Sequence, residues 1–151
     1  MMKLTIKRLF LLLMLVIALS IVVYNRDIIG NNPRIRNAEI NHGYSSIFTI
    51  EEIDLAMEVV LEDFVRSRDW NNELISLWYD EERADLFIQT NRHLRERLYN
   101  EEIRREDIII LFGVFDTGQG SFRPRLRQDW VWYIQRNSST GEWRITNQGK
   151  W

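Results

Sequence analysis

Sixteen consecutive residues, Leu9 to Tyr24, carry no charge, and Lys3, Lys7 and Arg8 stand before them. An uncharged apolar run behind a cluster of cations predicts that the start stays in the cytoplasm while the remainder crosses the membrane. Sixteen falls between the ~7–15 apolar residues of a signal-peptide core and the roughly 17–25 of a spanning helix. Lys7 and Arg8 close the run on one side, and Asn25, Arg26 and Asp27 close it on the other. Ala18 and Ser20 make a small-x-small site, so cleavage after Ser20 would give a secreted product. Ile21, Val22 and Val23 continue the apolar run past that site, which favours an uncleaved anchor. Snorkelling by Lys7, Arg8 and Arg26 lets a short helix span. The expectation is a single-pass anchor with the C-terminal part outside the cell.

The division expected from sequence is a stub and anchor over 1–26, a linker over 27–46 and one α+β domain over 47–151. All 22 acidic residues follow residue 26, against 16 of the 20 basic ones, so that part has a formal charge of −6. An acidic exported domain is a poor match for nucleic acid, which selects a basic footprint. Cysteine is absent, which excludes disulfides, thiolate chemistry and a thioether-linked lipid. Such a domain holds together by its apolar core alone.

Residues 28–46 show no sustained period and read as linker, with one extended piece near the end. Thr49-Ile50-Glu51-Glu52 has the capping-box form, and Ile53, Met57, Val60, Leu61 and Phe64 follow at helical spacing. Glu73 to Asp80 alternates as a strand, placing Leu74, Ser76 and Trp78 on one side and Ile75, Leu77 and Tyr79 on the other. Glu81 to Asn100 reads as a helix with a break near Thr90-Asn91. Asp107 to Asp116 is apolar on both sides, as a central strand is, with Gly113 marking a bulge or bend. Arg125 to Arg136 forms a long strand, Asn137 to Gly141 a hairpin turn, and Glu142 to Thr146 the return strand. The expected fold is α+β, with the helices gathered on one face of a curved, mostly antiparallel sheet.

Phe48 to Glu52, Leu77 to Glu82, Asp129 to Arg136 and Gly141 to Ile145 resemble a family of uncharacterised exported domains of Gram-positive bacteria, often small lipoproteins. The closing hairpin also resembles that of nuclear-transport-factor-2-like cones, in which a curved sheet wraps a helix. The resemblance covers Phe48 to Trp151 and says nothing about activity, since the family has no assigned catalytic residues to carry over. This chain departs from the lipoprotein pattern in lacking the lipid-bearing cysteine.

Few residues point to chemistry. Trp78, Trp130, Trp132 and Trp143, with Tyr133, would stack a sugar or apolar ligand at a cone mouth, or else simply fill the core. Asp80 or Glu81 beside Tyr133 would suit acid–base work if buried. Arg123, Arg125 and Arg127, with Arg104 and Arg105, would take teichoic acid phosphates or acidic lipid headgroups, or pair with the domain's own acids. His42 and His93 lack metal-ligand spacing. Ser138 and Ser139 lack a histidine partner, and no phosphate-binding loop precedes a helix. The expected function is a non-catalytic binding module for a ligand or partner at the cell envelope, without metal or cofactor. The alternative is a small-molecule acid–base enzyme with a pocket near Asp80 and Tyr133.

Overall fold

The computed structural model of the protein describes residues 32–67, 72–100, 102–117 and 126–150. Within them lies an α+β fold: five strands form one mixed sheet in the order β1-β2-β3-β4-β5, accompanied by three α-helices. The strands are β1 (Glu39–Asn41), β2 (Glu73–Tyr79), β3 (Ile108–Thr117), β4 (Leu126–Arg136) and β5 (Trp143–Lys150), and the helices are α1 (Ile50–Arg66), α2 (Glu81–Thr90) and α3 (Arg92–Tyr99). No helix among the described residues is long and apolar enough to cross a membrane. The run from Leu9 to Tyr24 lies outside the described residues.

Helix α1 begins as its sequence dictates. The Thr49 hydroxyl accepts from the Glu52 N–H, and the Glu52 carboxylate accepts from the Thr49 N–H, which satisfies two amide groups at the helix start. The break expected near Thr90-Asn91 is also present. Asn91 ends α2 and caps α3 through its side-chain oxygen, which accepts from the Leu94 N–H at 3.1 Å. Part of the segment expected as linker is structured: Ile35 is buried in the core, and β1 pairs parallel to β2.

The helices do not share a face of the sheet, contrary to the sequence expectation. On one face, Phe64 of α1 meets Phe115 edge-on at 5.8 Å, and Phe48, just before α1, meets both Tyr79 and Trp143 at 6.1 Å. On the other face, Phe87 of α2 meets Phe112 at 6.4 Å and Tyr133 at 5.3 Å. The reason is the two-sided hydrophobicity of the central strands. Ile108 to Phe112 and Val131 to Ile134 are all buried, so each face needs its own cover.

Two irregularities set which side chains share a face. A register shift between Leu74 and Ser76 leaves Ile75 as the extra residue, so Leu74 joins Leu77 and Tyr79 beneath α1 instead of sharing a side with Ser76 and Trp78. A second shift lies between Tyr133 and Ile134. The ladder between β3 and β4 runs in register through Gly113, so this glycine marks no bulge there. It makes room: a Cβ would stand 2.7 Å from the Trp132 ring and 2.8 Å from the Ser76 carbonyl oxygen. Strand β5 is longer than expected and runs to Lys150.

Candidate functional site

Two surface clefts lie at opposite ends of the sheet. The larger, about 660 Å³ and open to solvent, sits where β1 and β2 end and α2 begins. Trp78, Tyr44 and the carboxyl residues Asp80, Glu81, Glu82 and Asp85 line it. Asn41 and Gly43 close the wall on the β1 side. Gly43 has φ +62°, and a Cβ there would come within 2.3 Å of the Tyr79 carbonyl oxygen, so this turn admits glycine on two counts.

The loop after β1 is held from both sides. His42 Nε2 lies 2.5 Å from Asp54 Oδ1 of α1. On the other side, Glu81 accepts from the Ser45 hydroxyl at 2.5 Å, the Ser46 N–H at 2.9 Å and the Ser46 hydroxyl at 2.6 Å, with the Tyr79 hydroxyl at 3.4 Å. The two serine hydroxyls hold the Glu81 carboxyl down at about 2, against the ordinary 4.5. Asp80 caps α2, its carboxylate accepting from the Arg83 N–H at 3.0 Å. Arg105 binds Asp85 at 2.9 Å and the Ile108 carbonyl at 2.9 Å. Burial pushes the Tyr79 hydroxyl up from its ordinary value of 10.

The smaller cleft, about 150 Å³, lies at the other end, where α1 finishes and β2 starts. Phe64, Phe115, Trp130 and Trp132 form its apolar walls, and Asp63, Ser67, Asn72 and Gln148 its polar ones. Phe115 and Trp130 meet edge-on at 5.5 Å. Arg34 braces this end. Its guanidinium donates to the Val65 and Ser67 carbonyls at 3.2 and 3.3 Å, the Ser67 hydroxyl at 3.1 Å and the Asn72 carbonyl at 3.0 Å, while lying 5.0 Å over the Phe64 ring.

The structure divides the aromatic residues singled out from sequence. Trp130, Trp132 and Trp143 share the α1 face, whereas Trp78 and Tyr133 point to the α2 face. Trp130 and Trp132 line the smaller cleft together, and Trp78 lines the larger. Trp143 is buried against Phe48, with the Arg136 guanidinium 4.5 Å over its ring. Trp78 stacks on Phe112 at 6.2 Å and carries Arg83 at 5.9 Å. Tyr133 is buried, accepts from the Asn91 amide at 3.1 Å and does not line the cleft that holds Asp80. Burial pushes its hydroxyl up as well.

The cation ladder is only partly described. Arg123 and Arg125 lie outside the described residues. Arg127 stands 3.9 Å from Asp116, opposite it in the β3–β4 register. Arg104 grips Asp107 at 2.8 Å, and Arg105 grips Asp85. Pairing with the domain's own acids accounts for these three. No group of acidic or histidine side chains among the described residues could hold a metal ion. Sequence reading missed the serine pair that grips Glu81 and the Arg34 brace. Each joins positions more than thirty residues apart, and no local pattern announces such a contact. No family model matches the chain, and neither a curated protein nor a solved structure matches it.

Proposed function

We propose that this protein is a membrane-tethered domain displayed outside the cytoplasm, where it binds a ligand or partner of the cell envelope without chemical turnover. The single observation that carries the binding reading is that, among the described residues, one continuous buried cluster runs from Ile35 through Phe112 to Trp143, with the two clefts opening at its surface. Ligand sites of this kind are concave, with a few fixed polar groups on an apolar wall. The tether rests on the uncharged run from Leu9 to Tyr24 behind Lys3, Lys7 and Arg8. Kinship with uncharacterised exported domains and with cone folds belongs to this same proposal; its support is α1 lying along one face of the sheet from β3 to β5.

The acid–base alternative is less well supported by the groups present. A general base works best with a pKa near the operating pH, whereas Glu81 is held at about 2. Asp80 is engaged as a helix cap, and the Tyr79 and Tyr133 hydroxyls are pushed up and stay protonated. The test is a topology reporter fused behind Trp151. Alkaline phosphatase activity in intact cells is expected; activity from a cytosol-only reporter instead would overturn the placement. Photo-crosslinking from the two clefts in the full chain should then capture an envelope component. Turnover of a small molecule that is lost in D80N would establish the enzyme in its place.

A further inference from the structure

Resting on the binding-module reading, we infer that the 150 Å³ aromatic cleft between the end of α1 and strands β3–β5 is a site for one uncharged hexose ring. A cavity of about 150 Å³ accepts a single six-membered ring and is too small for a drug-sized ligand. Its chemistry is two-sided. Phe115 and Trp132 form its buried apolar floor, Trp130 supplies a partly exposed indole, and Asp63, Ser67, Asn72 and Gln148 supply polar groups. A hydrocarbon has no use for a carboxylate and an amide on the wall. An anion would meet Asp63, the sole charged residue of the lining, and be repelled. A sugar ring matches both halves: its C–H face lies on the Trp130 indole, and its hydroxyls reach the Asp63 carboxylate and the Gln148 amide, which can accept and donate.

The polar wall is formed in advance. Arg34 fixes Ser67 and the Asn72 backbone, and the Ser67 hydroxyl donates to the Phe64 carbonyl at 2.9 Å. A wall already in place costs little further ordering when a ligand arrives. The Asp63 carboxylate and the Gln148 side-chain amide line the cleft and are not spent on the Arg34 brace. The cleft also lies at the end of the sheet where the chain enters, since the Leu74 N–H donates to the Arg34 carbonyl at 2.8 Å. Residues 25–31 span no more than about 30 Å between Tyr24 and Asn32, so a glycolipid headgroup is within reach as well as a free glycan.

The experiment uses the full chain in lipid nanodiscs, with methyl β-glucoside as the free probe and glucosyl diacylglycerol in the disc as the lipid-borne one. Saturation transfer to the sugar ring protons is expected, together with a shift in tryptophan emission. D63N and Q148A should each weaken binding about 5- to 10-fold, the equivalent of one lost hydrogen bond, while E82Q at the distant cleft leaves it unchanged. Tighter binding of the lipid-borne probe identifies a headgroup as the source, and equal binding identifies a free glycan; both uphold the ring. No transfer from either probe, or affinity untouched by D63N and Q148A in folded protein, overturns the site. Such a failure leaves the domain's place outside the cell standing. A cytosolic C-terminus would remove that place without altering sugar binding in nanodiscs.

Discussion

At the end of the sheet where β2 stops, order comes from hydrogen bonds gathered on one carboxylate, that of Glu81. At the opposite end, about 20 Å away along the seven residues of β2, it comes from interlocked aromatic rings and the Arg34 guanidinium. The difference teaches how a disulfide-free domain secures its two ends. Ring packing contributes through area removed from water and is insensitive to pH. A carboxylate network contributes through charge-assisted hydrogen bonds, which depend on the carboxyl staying ionised.

Four substitutions sharpen or break that contrast. Trp132→Ala should have the largest effect, a loss of about 3–5 kcal/mol, because this buried ring sits against Gly113 in the middle of the sheet; urea unfolding of the full chain in detergent measures it. Gly43→Ala comes next at about 1–3 kcal/mol, combining a positive φ with a clash at the Tyr79 carbonyl. Glu81→Ala should cost about 1–2 kcal/mol near neutrality, discounted because the network lies close to solvent. Thr49→Ala removes one half of the capping box and should cost about 1 kcal/mol. If Glu81→Ala proved more damaging than Trp132→Ala, the ranking of the two ends would be reversed.

The pH dependence separates the ends further. Glu81 is held at about 2, below its ordinary 4.5, so the folded state favours the ionised form. Its contribution is complete above 4.5 and is lost as pH falls through about 2. The gap in stability between the native chain and Glu81→Ala should therefore be constant from neutrality down to about pH 5 and shrink below it. The gap for Trp132→Ala should stay level across the same range. A Glu81→Ala gap that stayed level in acid would show that the serine contacts do not stabilise the charge.

Much of the fold was legible because local chemistry settles it. Thr49 and Glu52 announce the start of α1, Asn91 announces the break between α2 and α3, and Asn137 to Gly141 announces the hairpin. What could not be read depends on distant partners. Ile108 to Phe112 is apolar on both sides and says only that both faces are covered, not which helix covers which. The bulge at Ile75 moves Leu74 to the side of Leu77, a step of one residue that alternation alone cannot supply. Alternation places the four tryptophans on strands, yet their division between faces follows from pairing. The pairing of β1 with β2 joins segments some thirty-seven residues apart in sequence, as in Ile40 with Leu77.

The parallel attachment of β1 has a mechanical corollary. A pull on the chain at Asn32 runs along β1 in the direction that slides it past β2, so its three residue pairs share the load in shear instead of opening one by one. The guanidinium of Arg34, with bonds to the end of α1 and the approach to β2, stands ahead of them and takes strain first. Force arriving from that side would meet this latch before it reached the core.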